Sequence, residues 1–247
     1  MQGYTRRQLK EDKFVETAQG AAEWTASHRT PLIYTGSAVI IIVLIVAGGW
    51  SWQSHQNDAA NIALGSAMRT FTANLIPAGT PAGPETKDSF TTVAERGKAA
   101  AKQFAAVADK YPHTDAGHIA RYLQGVSALQ AGDAAAGEQQ LKSVADSRDK
   151  NVAALAKMAL ANHYRATNRA ADATRLYKDL ADHPTETVSK SAAQLGMAET
   201  YEATDPQQAK SIYQQIQKED PNSPAAQAAT AKLSGGKTGG PGNLSPE

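Results

Sequence analysis

Six histidines, His28, His55, His113, His118, His163 and His183, are the residues in this chain best suited to acid–base work or metal ligation near neutral pH. Only His113 and His118 lie close together, five positions apart with Asp115 between them. A metal site wants ligands one helical turn apart on a fixed face, or a third ligand converging from elsewhere, and neither pattern is present. His113 follows Pro112, so solvated turn histidines are the expectation. The chain has no cysteine, which excludes thiolate nucleophiles, thiolate metal sites, disulfides and a lipid-modified N-terminal cysteine. There is no glycine-rich phosphate loop, no HExxH and no GxSxG. The acidic residues are scattered over polar faces, with no isolated pair for proton transfer. The sequence therefore predicts no catalytic residues, no metal, no cofactor and no small-molecule substrate. An anchored enzyme would need a residue set that is not visible here. What is left is a surface for protein partners.

That surface must be carried by helices. Residues 54–76 show an apolar stripe at Ala59, Ala60, Ile62, Ala63, Ala67, Phe71 and Leu75, the spacing of an amphipathic helix. Residues 77–88, PAGTPAGPETKD, form a Pro/Gly-rich loop. Residues 89–111 predict the next helix, stopped by Pro112. From there the chain repeats. GEQQLKSV begins at Gly137, ATRLYKDL at Ala173 and AKSIYQQI at Ala209, each 36 residues after the last. Leu141, Tyr177 and Tyr213 align, and so do Val144, Leu180 and Ile216. Gly125 and Ala161 align in the preceding helices, where Met197 stands at the third, expected small, position. Turn residues fall at Gly132-Asp133, Asn168 and Asp205-Pro206. Residues 222–233 predict a last, Ala-rich capping helix, and 234–247 a disordered Gly/Pro-rich tail.

A helix–turn–helix unit of this length cannot bury its apolar face alone, so stacked neighbours must complete the core. The pattern resembles the tetratricopeptide repeat, most clearly at Leu160, Ala161, Tyr164, Ala173, Tyr177, Leu180 and Pro184. The resemblance implies an all-α solenoid of antiparallel helix pairs whose first helices line a concave groove. By that register Tyr122, Val126, Met158, Asn162, Arg165, Gln194 and Tyr201 should face the groove. An alternative at each position is packing between repeats.

The most apolar stretch lies before the repeats. Residues 32–52, LIYTGSAVIIIVLIVAGGWSW, carry no charge. At about 1.5 Å per residue they would cover the roughly 30 Å hydrocarbon core of a bilayer. Tyr34, Trp50 and Trp52 fall where aromatic rings prefer the lipid–water boundary. The run exceeds the about 7–15 residues of a cleaved signal peptide, and VAG at 46–48 is a poor cleavage site, so an uncleaved anchor is expected. His28 and Arg29 flank its start, whereas Asp58 is the nearest charge beyond Trp52, which favours a cytoplasmic N-terminus. The predicted organisation is a cytoplasmic tail over 1–30, partly an amphipathic helix or else a solvated, fraying segment, a transmembrane signal anchor over 31–52, a repeat domain over 53–233 and a tail over 234–247. Beyond Trp52 there are 20 basic and 20 acidic residues, so no basic excess calls for nucleic acid.

The exit from this segment, GWSWQSHQNDAA, resembles the corresponding junction of the YfgM-like family, the ancillary subunit of the bacterial SecYEG translocon. The matching residues are Gly49, Trp50, Ser54, His55, Gln56, Asp58 and Ala60. The resemblance implies a single-pass protein of the bacterial inner membrane, N-terminus in the cytoplasm, with a periplasmic repeat domain. Its implied partners are the translocon, periplasmic chaperones and emerging exported proteins. The alternative on the same fold is a scaffold for envelope or outer-membrane assembly.

Overall fold

The computed structural model describes residues 52–77 and 89–235, together with Gly49 and Gly79. The expected tail over 1–30 lies outside the described residues, as do the expected transmembrane segment, apart from Gly49 and Trp52, and the chain after Gly235. Among the described residues, no helix is long and apolar enough to cross a membrane. The chain divides after Gln56 into two units, and the repeat body lies in the second, Asn57–Glu247.

Helix α1 covers 52–71. It is followed by α2 (Val93–Lys110), α3 (Asp115–Gln130), α4 (Ala134–Ala145), α5 (Lys150–Ala166), α6 (Ala170–Asp182), α7 (Lys190–Tyr201), α8 (Pro206–Glu219) and α9 (Pro224–Leu233). The helix expected to reach residue 76 stops at 71. Leu75 instead forms an isolated bridge with Phe90: Ile76 N–H donates to the Phe90 carbonyl at 2.9 Å and Phe90 N–H to the Asn74 carbonyl at 3.0 Å. These bonds satisfy backbone groups that would otherwise hang in the loop, and they hold its two ends together.

Most helix starts are written into the sequence. Thr92, Thr114, Asp133, Asp149, Ser189, Asp205 and Ser223 each accept a backbone N–H from the first turn of their helix. Such a cap contributes about 1 kcal/mol by satisfying a donor that the helix itself leaves free. The turns within pairs repeat as well. Gly132 (φ 85°) and Asn168 (φ 60°), one period apart, both take the left-handed conformation that lets the chain reverse after a first helix.

The helices stack in antiparallel pairs, α1 with α2, α3 with α4, α5 with α6 and α7 with α8, and α9 covers the last pair. Neighbours in sequence touch throughout α2 to α9. Among α2 to α9, the only other touching pairs are first helices: α3 with α5, α5 with α7 and α7 with α9. The second helices do not touch one another, so the stack curves with its first helices on the inside.

The core is a run of clusters along this stack. Phe104 of α2 and Tyr111 at its C-terminal cap pack with Ala60 and Ala67 of α1 and Ala120 of α3. Leu141, Leu160, Tyr164 and Tyr177 join α4, α5 and α6. Ile212, Tyr213 and Ile216 join α8 to α7 and α9. Met197, at the position where the register expects a small residue, is half-buried and touches both of the latter clusters. Close approach at other crossings depends on glycine. A Cβ on Gly125 would sit 2.8 Å from Leu141 Cγ, and one on Gly196 would overlap the fully buried ring of Tyr177.

Two glycine substitutions should therefore have opposite effects. Gly196→Ala should destabilise by about 1–3 kcal/mol, because the Tyr177 ring has nowhere to move. Gly65→Ala, within α1 and with nothing in contact distance of the added methyl, should stabilise by about 0.5–1 kcal/mol. Urea unfolding of the two variants reads both signs.

Candidate functional site

The inner face of the stack carries the candidate site. A crevice of about 460 Å³ opens between α3 and α5, and four of the residues expected at the groove line it: Tyr122, Val126, Met158 and Asn162. Leu129 and Leu155 complete its apolar wall. Tyr122, Val126 and Met158 also rest on the second core cluster, so each is half-buried and half-presented. The Tyr122 hydroxyl has no partner among the described residues, and burial pushes its pKa up, so it stays a neutral donor. Asn162 Oδ1 accepts the Tyr177 hydroxyl at 2.6 Å, which fixes the amide at the mouth of the crevice.

The other three expected residues are not brought into this crevice. Arg165 is exposed and pairs with Glu199 of α7 at 3.1 Å. Gln194 is only 5 % exposed, inside the stack. Tyr201 packs against the third core cluster. Arg165 and Tyr201 pack between neighbouring repeats, the alternative the register had left open. A chemical site of another kind is not assembled: among the described residues, no group of three or more His, Asp or Glu could hold a metal ion. His113 is exposed in the α2–α3 turn and His118 is half-buried on α3.

Such an arrangement, first helices inward and a partly apolar groove between them, is that of helical repeats that bind proteins. Comparison with known families gives the same architecture. A family model described as a tetratricopeptide repeat-like domain matches residues 32–176, and one described as a tetratricopeptide repeat matches 192–223. The chain belongs to the tetratricopeptide repeat-like family. Neither a curated protein nor a solved structure matches it. Tetratricopeptide repeat domains mediate protein–protein interactions and are typically non-catalytic scaffolds, and this chain has their fold.

Beside the groove the tetratricopeptide stack holds a charged cluster that sequence reasoning missed. Glu138 of α4 is 18 % exposed at its side chain and takes three partners, one from its own helix and two from α5 and the α5–α6 turn. Arg169 Nη1 lies 2.7 Å away, Lys142 Nζ 3.1 Å and His163 Nε2 3.2 Å. The Arg169 guanidinium also stacks on the Tyr164 ring at 3.9 Å. Burial pushes the Glu138 carboxyl up, but hydrogen bonds from Arg169 and then Lys142 outweigh it and hold the group at about 2. Arg169 occupies the cap position of α6, one period after the capping Asp133 and one before the capping Asp205. The repeat gives up a helix cap there for a clasp between α4 and the α5–α6 turn. The absence of an Asp at that register position was the one signal in the sequence.

Glu138 should make stability acid-sensitive. Its folded value lies below its ordinary value of 4.5, so its contribution is complete above about pH 4.5 and is lost as pH falls toward 2. That contribution should be on the order of 2 kcal/mol after solvent screening. Glu138→Gln should cost that amount at pH 7 and flatten the acid limb of unfolding free energy against pH. An unchanged acid limb in the variant would show that other carboxylates control it.

Proposed function

We propose that this tetratricopeptide repeat-like protein is a membrane-anchored scaffold at the bacterial inner membrane. In this reading its N-terminus is cytoplasmic and its repeat body periplasmic, beside the SecYEG translocon. Its partners are translocon subunits, periplasmic chaperones or exported proteins. The observation that carries the binding role is the crevice on the inner face, where Tyr122, Val126 and Met158 offer apolar surface around an unpartnered phenol. Grooves of this composition hold extended or helical segments through a few buried anchors.

Support for the anchor comes from the uncharged run 32–52. The match to the repeat-like family begins at residue 32, so this run belongs to the unit that the family shares. Support for the translocon reading comes from the junction motif. Two of its residues, His55 and Asp58, lie exposed on α1, where a partner can reach them.

Photo-crosslinking from positions 55 and 122 of the full chain in intact membranes tests the partner. Translocon subunits and periplasmic chaperones are the expected adducts. Adducts confined to peptidoglycan or outer-membrane machinery would replace this reading with an envelope-assembly scaffold. Tyr122→Ala combined with Met158→Ala should weaken capture at the groove about tenfold, since truncating buried anchors costs at least about 1–2 kcal/mol. Because the chain has no native cysteine, orientation can be read from single cysteines placed in the N-terminal tail and at Ser234. An impermeant thiol reagent on intact cells should label the second alone. Labelling of the first would overturn the proposed topology.

A further inference from the structure

The stack repeats its crevices as well as its helices. At the end of α4, and again at the end of α6, the last turn and the loop that follows enclose a cleft with the preceding first helix. One such cleft, about 470 Å³, is lined by Lys157, Asp179, His183 and Pro184. One period earlier stand Arg121, Ser143, Ser147 and Arg148, and these line a cleft of about 340 Å³.

The two clefts differ in charge. In the later one the cation is neutralised from within: Lys157 Nζ lies 2.6 Å from Asp179 Oδ2, and His183 Nδ1 is 3.3 Å from Oδ1 of the same carboxylate. In the earlier one Ser143 stands in place of Asp179, and half-buried Arg121 has no ion-pair partner among the described residues. Arg148 replaces Pro184 and is likewise unpaired, and His113 and His118 join the lining. The one carboxylate there, Asp149, is already engaged. Its Oδ1 accepts the N–H groups of Asn151 and Val152 at 3.0 and 3.1 Å, capping α5, and its Oδ2 lies 3.9 Å from His118 Nδ1.

We infer that this cleft is a carboxylate-binding site, filled by an aspartate or glutamate side chain from an acidic segment of a partner protein. That side chain takes the place Asp179 holds one repeat later. Two guanidinium groups suit it, because each presents a planar fork matching a carboxylate in two parallel hydrogen bonds. A half-buried arginine gains more from such a partner than a fully solvated one does. The cleft admits a side chain rather than a length of polypeptide, and it lies apart from the groove at Tyr122. The site therefore goes beyond the groove reading and can fail without it.

Fluorescence anisotropy of labelled hexaglutamate, with hexaglutamine as reference, tests the site on the full chain in micelles of a neutral detergent at about 50 mM salt, where charge pairs are weakly screened. Hexaglutamate should bind and hexaglutamine should not. Ser143→Asp, which restores the internal carboxylate, should weaken binding at least about tenfold, and Arg121→Gln should do the same. Circular dichroism of both variants checks that the stack is intact. Replacing Lys98 and Lys102, two lysines without ion-pair partners among the described residues that line a different cleft on α2, by glutamine should leave binding unchanged. The site is refuted if wild type ignores hexaglutamate, if Ser143→Asp and Arg121→Gln bind as wild type does, or if the double lysine variant loses as much. Inorganic phosphate bound in preference to glutamate would overturn the carboxylate assignment.

Discussion

Everything in this protein depends on a large side chain seated deep between helices once in every 36 residues. Leu141, Tyr177 and Tyr213 are at most 3 % exposed, and each fills the space between its own pair and the next. A single pair could not bury them, since a two-helix unit offers only one side of the pocket. The stack is therefore cooperative by construction: each pair needs its neighbour to keep its own core dry. Small residues at the crossings follow from the same constraint. Gly125 and Gly196 let the backbones approach closely enough for Leu141 and Tyr177 to be enclosed on all sides.

That dependence explains which features can be read from sequence. The period, the antiparallel pairs and the positions of Leu141, Tyr177 and Tyr213 are legible because core seats recur and turns carry Gly132, Asn168 or an aspartate cap. The groove is legible in part. Tyr122, Val126, Met158 and Asn162 come together because α3 and α5 touch on the inner face, a contact that the repeat register predicts. Gln194 and Tyr201 go elsewhere: Gln194 is buried inside the stack and Tyr201 rests on the core that α7 shares with α8 and α9. The register gives the face of a helix but not how far its neighbour overlaps it.

The Glu138 cluster was not legible, for a different reason. His163 and Arg169 reach Glu138 from 25 and 31 positions away, a separation unrelated to the period. Nothing in a local pattern marks such a meeting. The end of α1 was misplaced for a similar cause. The apolar spacing continues through Leu75, yet the backbone there bonds across the loop to Phe90, and that competing bond lies beyond any local window.

In a repeat protein the shared positions build the fold, so what is particular to this chain must lie in its departures from the repeat. Three departures are physically costly. Arg169 leaves α6 without a side-chain cap. Ser143 leaves Arg121 and Arg148 without the carboxylate present one period on. Met197 puts a flexible side chain where a small one would let helices close. The first is offset within the molecule by the Glu138 clasp and the Tyr164 stack, and the third by contact with two core clusters at once. The second has no offset inside the described chain. Arg121 and Arg148 both line there a cleft whose only acid is engaged in capping a helix. An uncompensated departure in an otherwise self-consistent stack points outward, to an anionic group that the described residues do not supply.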